Sequence, residues 1–262
     1  MSPAKRALLN GKALAVVVAA TLLVCTNAAF AGSPAPAYDW SGWYIGANVG
    51  GAFGPSHVDI APESPGAEIR DGFVSPRLND NPFGALGGFE AGVDRQAGQI
   101  VYGVVTDFSF ADVRSHVVGP FLEIPFDFQT TDGQRLDNLG TLRGRLGFTP
   151  WDRSLIYLTG GLAYNRASVS TFAIDTSADI CGGTIKFCIG GNSQRWMTGF
   201  TLGAGWQYAL GPNWSVQVEY LYYDLGKVTN SMVDILTPPD VFQGSAAVQG
   251  DIARIGLIYR FQ

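Results

Sequence analysis

Beyond residue 31 the chain holds two histidines, His57 and His116, and two cysteines, Cys181 and Cys188. Neither histidine has an evident serine and acid partnership, and both fall in stretches without periodicity, so they read as solvated loop residues rather than catalytic bases. No histidine lies near the cysteines, and two thiols alone are too few for a zinc site. In an exported chain such a pair forms a disulfide, here one that clips a surface loop. A different set of chemical groups sits inside alternating stretches: Glu90, Asp107 and Glu219 against Arg143, Arg145 and Arg254. Acids and bases in near balance predict a buried ion-pair network, because unpaired buried charge is costly. Phosphate loops, zinc spacings and nucleophile elbows are missing, and Gly50-Gly51 and Gly160-Gly161 belong to alternating strands. The reading is of a protein with no catalytic residue, cofactor or metal.

These charges need strands to hold them. Period-two alternation runs through residues 43–53, 85–94, 100–108, 139–148, 155–165, 196–208, 214–222 and 250–262. Between them, residues 54–83, 109–134, 167–194 and 226–249 read as long loops. Short turns occupy the other gaps, among them Thr149 to Arg153 and Gly211-Pro212-Asn213. Long connections follow the odd strands and short ones follow the even strands. The last strand needs a partner, and the first strand supplies it, so the sheet closes into a barrel.

The N-terminus carries Lys5, Arg6 and Lys12, an apolar run from Ala13 to Cys25, and Ala29-Phe30-Ala31. That pattern is a cleavable signal peptide over residues 1–31; the run is short of the roughly 20 residues of a spanning helix, and bulky Val24 argues against lipidation at Cys25. Residues 32–42 read as a periplasmic leader and 43–262 as the barrel domain. Cleavage removes three positive charges and no acid, leaving 14 Lys+Arg against 22 Asp+Glu, a net of −8. Such a chain repels nucleic acid. Charged residues make up only 15% of the sequence, against about 25% in ordinary soluble domains.

The two faces of each strand differ in kind. One set, with Trp43, Ile45, Phe89, Phe108, Leu142, Leu158, Trp206, Val218 and Leu257 among its members, contains no Lys, Arg, Asp, Glu or His. The other set carries the charges, mixed with Gly, Ala, Thr, Asn48 and Gln217. A soluble eight-stranded barrel requires an apolar lumen. Here glycine crowds the charged face, which marks it as the narrow inner side. Aromatics gather near strand ends on the apolar face, as Trp43 and Phe53, Trp196 and Tyr208, and Trp214 and Tyr222 do. Two such girdles belong at membrane interfaces. The fold class is therefore all-β, an eight-stranded antiparallel up-and-down transmembrane β-barrel with four long extracellular loops.

The segments WSGWYIGANVGG, TLRGRLGFTPWDRSLIYLTGGLAY, GPNWSVQVEYLYYDLG and ARIGLIYRF resemble the porin-family outer-membrane β-barrels, the OmpA- and opacity-like surface proteins, especially those of alphaproteobacteria. The resemblance covers nearly all of residues 40–262 outside the long loops. It implies residence in the bacterial outer membrane and insertion by the barrel-assembly machinery, which reads a terminal strand ending in an aromatic. Tyr259 and Phe261 fill that role, and Gln262 departs from the pattern.

The expected function is that of an integral surface barrel with a structural, envelope-integrity and surface-interaction role, its lumen plugged by the charged network. The alternative is a small porin-like channel for water or ions. Expected partners are outer-membrane lipid and lipopolysaccharide, with Arg114 and Arg166 near the headgroup phosphates, and extracellular ligands at the loops. Enzymatic action at the rim has no support in the histidine placement.

Overall fold

The computed structural model describes residues 38–54, 56–63, 77–118, 128–175, 188–234 and 241–261. Among these residues ten strands form: β1 (Gly42–Phe53), β2 (Ser56–Pro62), β3 (Arg77–Asp80), β4 (Phe83–Ala97), β5 (Ile100–Val118), β6 (Phe128–Trp151), β7 (Ser154–Asp175), β8 (Cys188–Ala209), β9 (Trp214–Asp234) and β10 (Val241–Arg260). Eight of them close a ring in the order β1-β4-β5-β6-β7-β8-β9-β10 and back to β1, all antiparallel. The seam between β1 and β10 is continuous from Tyr44↔Arg260 to Phe53↔Asp251.

The ring's stagger can be followed pair by pair. From Phe53 the partners run Asp251, Tyr222, Leu202, Gly160, Gly144, Val104 and Val93, and return to β1 at Trp43, ten residues lower. A shear of ten on eight strands tilts them about 40° from the barrel axis and leaves an interior filled by side chains.

Alternation sets the faces as the sequence predicts. Trp43, Phe89, Leu158 and Trp196 are 62–69% exposed on the outer wall, while Glu90, Asp107, Arg143, Arg145, Glu219 and Arg254 are all buried inside. An outer wall this apolar is stable only against hydrocarbon.

The strand limits depart from expectation. Stretches predicted as long loops continue the sheet: β5 runs on to Val118, β6 starts at Phe128, β7 reaches Asp175, β8 starts at Cys188, and β9 and β10 extend to Asp234 and from Val241. β6, at 24 residues, rises roughly 60 Å along the axis, about twice the apolar band of an outer-membrane barrel. Above the hydrocarbon the outer face meets water, so apolar alternation fades while the backbone ladder continues. The span 54–83, predicted as loop, contains β2 and β3. These pair with each other, and β2 adds to β10 from Phe242↔Pro62 to Ala246↔Val58, filling the wall where β1 and β4 have stopped.

Candidate functional site

Among the described residues, chemistry-bearing side chains converge in the barrel interior, which is built in three layers. In the middle layer, Arg143 on β6 donates from Nη2 to Asp107 Oδ2 at 2.7 Å, from Nη1 to Glu219 Oε1 at 2.9 Å and from Nε to Thr141 Oγ1 at 2.9 Å. Arg254 on β10 reaches Glu219 Oε2 from Nε at 2.8 Å and from Nη2 at 2.5 Å, and Asp107 Oδ2 at 3.2 Å. Two acids thus share two guanidiniums across the lumen. Glu90 stands 3.8 Å from Arg254 and accepts from Gln217 Nε2 at 2.7 Å and Asn48 Nδ2 at 3.3 Å.

The periplasmic layer holds Arg145, which the structure places with Asp94 rather than with Glu90, Asp107 or Glu219. Its Nη1 lies 3.5 Å from Asp94 Oδ2 and 3.3 Å from Tyr44 Oη, and its Nη2 donates to Gln207. The guanidinium carbon stacks 3.7 Å from the Tyr157 ring centroid, a cation–π contact strengthened by burial. Tyr157 joins the layers, since its hydroxyl is 3.2 Å from Glu219. Glycine makes room for both tyrosines: a Cβ on Gly92 would come within 2.4 Å of the Tyr44 ring, and one on Gly205 within 2.4 Å of Tyr157. Here lies the reason why glycine crowds the inner face.

Arg260 completes this layer. It donates to Asp94 Oδ2 at 3.0 Å and to the carbonyl of Trp40, and its guanidinium sits 4.8 Å from the Tyr44 centroid and 5.6 Å from that of Trp40. Trp40, expected in a periplasmic leader, is fully buried against Val101, Leu155, Tyr157 and Ala209. The Trp40 backbone N–H donates to Gln96 Oε1 at 2.8 Å, and the Gln96 backbone N–H donates back to Ser41 Oγ at 3.0 Å. The segment 38–41 therefore turns into the periplasmic mouth. Leader residues carry no period-two signal, so the sequence does not mark Trp40. Asp94 was detectable: four residues past Glu90, it shares the same face, but it sits where the predicted strand ends.

The third layer, toward the outside of the cell, is apolar. Leu86, Val113, Leu139, Met197, Leu225 and Ile252 point inward and are buried, with Phe242 and Ile60 packed over them from the β10–β2 extension. Within it the Asn165 amide is fully buried with neither its oxygen nor its nitrogen partnered. Across the interior, four arginines (143, 145, 254, 260) face four acids (90, 94, 107, 219), all buried. The balance is complete once Asp94 and Arg260 are included.

Other predicted residues lie elsewhere. Tyr259 and Phe261 stack edge to face at 5.1 Å on the periplasmic rim of the outer wall, and Tyr259 meets Trp214 at 5.1 Å. His57 stands on β2, with Nε2 3.8 Å from Asp59. Arg166 is exposed and donates to Gln194 Oε1 at 2.8 Å. Cys181 and Gln262, with the side chains of Cys188, Arg114 and His116, lie outside the described residues. Among the described residues no group of three or more His, Cys, Asp or Glu is placed to hold a metal.

The closed antiparallel ring has counterparts among known proteins. The model of the outer membrane protein beta-barrel domain matches residues 17–261. The chain belongs to this family. The 31 kDa outer-membrane immunogenic protein of Brucella melitensis is 32% identical over 245 residues, covering 93% of each chain. The 25 kDa outer-membrane immunogenic protein of the same species is 26% identical, covering 80% of this chain and 84% of its own length. The fold is also that of the outer membrane protein OprG from Pseudomonas aeruginosa, with a TM-score of 0.54 at 15% identity, over 86% of this chain and 98% of the other. This family member is a surface protein of the bacterial outer membrane.

Proposed function

We propose that the barrel is a non-catalytic structural element of the envelope, closed to ions, which presents its tall extracellular wall to partners outside the cell. The three-layered filling of the interior carries this reading. A buried aromatic occupies the periplasmic mouth, a balanced ion-pair network the centre, and an apolar layer the outer half. Ions would have to break pairs in one layer and shed their water in the next, and apolar constrictions close channels by dewetting. Surface interaction is supported by strands that continue far above the apolar band, and by relatives whose names call them immunogenic. The stacked Tyr259 and Phe261 on the terminal strand suit a segment handed to the barrel-assembly machinery.

A small water or ion channel is the second reading, and the unpartnered amide of Asn165 favours it, because a buried polar group without a protein partner is satisfied by water. Planar-bilayer recording of the purified, folded protein separates the two. A closed barrel gives no unit steps from wild type. Stable steps whose size changes in Glu219→Ala would replace the closed reading with the channel.

A further inference from the structure

Three exposed cations, Arg166 on β7, Arg195 on β8 and Lys227 on β9, lie on three successive strands at one level of the extracellular wall. Ser168 on β7 is the Cα partner of Gln194 on β8. Arg166 is two residues from Ser168, Arg195 is adjacent to Gln194, and Lys227 on β9 follows Asp224, the partner of Phe200. Among the described residues on this stretch of β7, β8 and β9 the acid is Asp224, so the belt keeps an excess of two positive charges in a chain whose net charge is −5. Asp224 is moreover engaged locally, accepting from Gly226 N–H at 2.8 Å.

The belt sits where headgroups sit. Phe110 on β5 and Trp196 on β8 are exposed on the outer wall and mark the upper edge of the apolar band. Arg166 is the Cα partner of Trp196. The wall also changes here. The β8–β9 ladder breaks between Gly190 and Phe200 and pairs again only at the top, at Gly190↔Val233 and Ile189↔Asp234. Arg195 shares the inward parity of buried Met197 and is nevertheless exposed, and Lys227 flanks the same break on the other side. A tryptophan at the apolar boundary with guanidinium and ammonium groups above it suits an amphiphile whose chains lie on the wall and whose anionic head meets the cations.

We propose that this belt, centred on Arg166, Arg195 and Lys227, binds the phosphorylated headgroup of an outer-leaflet glycolipid of the lipid A type. The proposal goes beyond the closed-barrel reading and does not depend on whether the lumen conducts. The test uses the full chain in phosphatidylcholine nanodiscs, titrated with phosphorylated lipid A, with dephosphorylated lipid A and with inorganic phosphate, bound lipid being counted by native mass spectrometry. Charge reversal in Arg166→Glu/Arg195→Glu/Lys227→Glu weakens retention of phosphorylated lipid A by about 100-fold, while Arg153→Glu at the periplasmic turn leaves it unchanged. Heat-modifiable gel mobility establishes that each variant is folded. If the triple variant does not fold, Arg166→Gln/Lys227→Gln is read instead and loses about tenfold or more. Equal retention by wild type and variant overturns the site. Equal retention of dephosphorylated lipid A overturns the role of the phosphate, and free phosphate that displaces the lipid at equal concentration overturns the lipid as its occupant.

Discussion

Replacing Glu219 by glutamine is the sharpest probe of how dry the barrel centre is. Glu219 accepts three bonds from Arg143 and Arg254 at 2.5–2.9 Å, and all three side chains are buried. Glutamine keeps the shape but leaves two guanidiniums facing Asp107 and a more distant Glu90. Breaking a buried pair by removing one partner costs about 3–5 kcal/mol. At a urea dependence near 3 kcal/mol per M, the unfolding midpoint of the refolded barrel in detergent falls by about 1–1.7 M. The double variant Arg143→Met/Glu219→Leu removes one charge of each sign and fills the space with apolar volume, so it recovers to within about 1 kcal/mol of wild type. Unfolding is followed by tryptophan fluorescence and by the loss of heat-modifiable mobility. A Glu219→Gln shift below about 0.3 M, equivalent to about 1 kcal/mol, would refute the reasoning, because only solvated charges are lost so cheaply.

Two further substitutions test the ends and the outside of the barrel. Trp40→Ala empties the periplasmic mouth and removes the ring beneath Arg260; it destabilises the fold by about 3–5 kcal/mol, read from the same urea midpoint, although the residue precedes the first strand. Leu158→Arg places a charge on the lipid-facing wall and costs about 2–4 kcal/mol in bilayer refolding, whereas the same change in a soluble barrel with a wetted exterior would be close to neutral.

Much of this architecture can be read from the chain because the membrane imposes two different solvents on one strand. From Trp43 to Phe53 and from Trp196 to Tyr208, every second side chain meets hydrocarbon, and a single charge there would break the pattern. That constraint ends at the headgroups. Past Phe110 or Asn165 the outer face meets water, so the sequence relaxes although the ladder does not, and the strand tops pass for loops. The interior was legible residue by residue but not as a set of partners: parity places Arg145 inside, yet only the stagger of ten shows that it meets Asp94 rather than Glu219. Trp40 left no mark at all, since its burial depends on a fold back into the mouth rather than on periodicity. Arg195 escaped for the opposite reason, its inward parity being cancelled by the break between β8 and β9.

Arg260 binds the carbonyl of Trp40 across 220 positions of sequence and Asp94 across 166. Contacts of such separation form late, because loop closure must precede them. The guanidinium that holds the opening residues of the barrel in place is thus supplied near the very end of its last strand. A chain released a few residues early would lack this guanidinium, so Trp40 and Asp94 gain their cation only once the final strand has arrived.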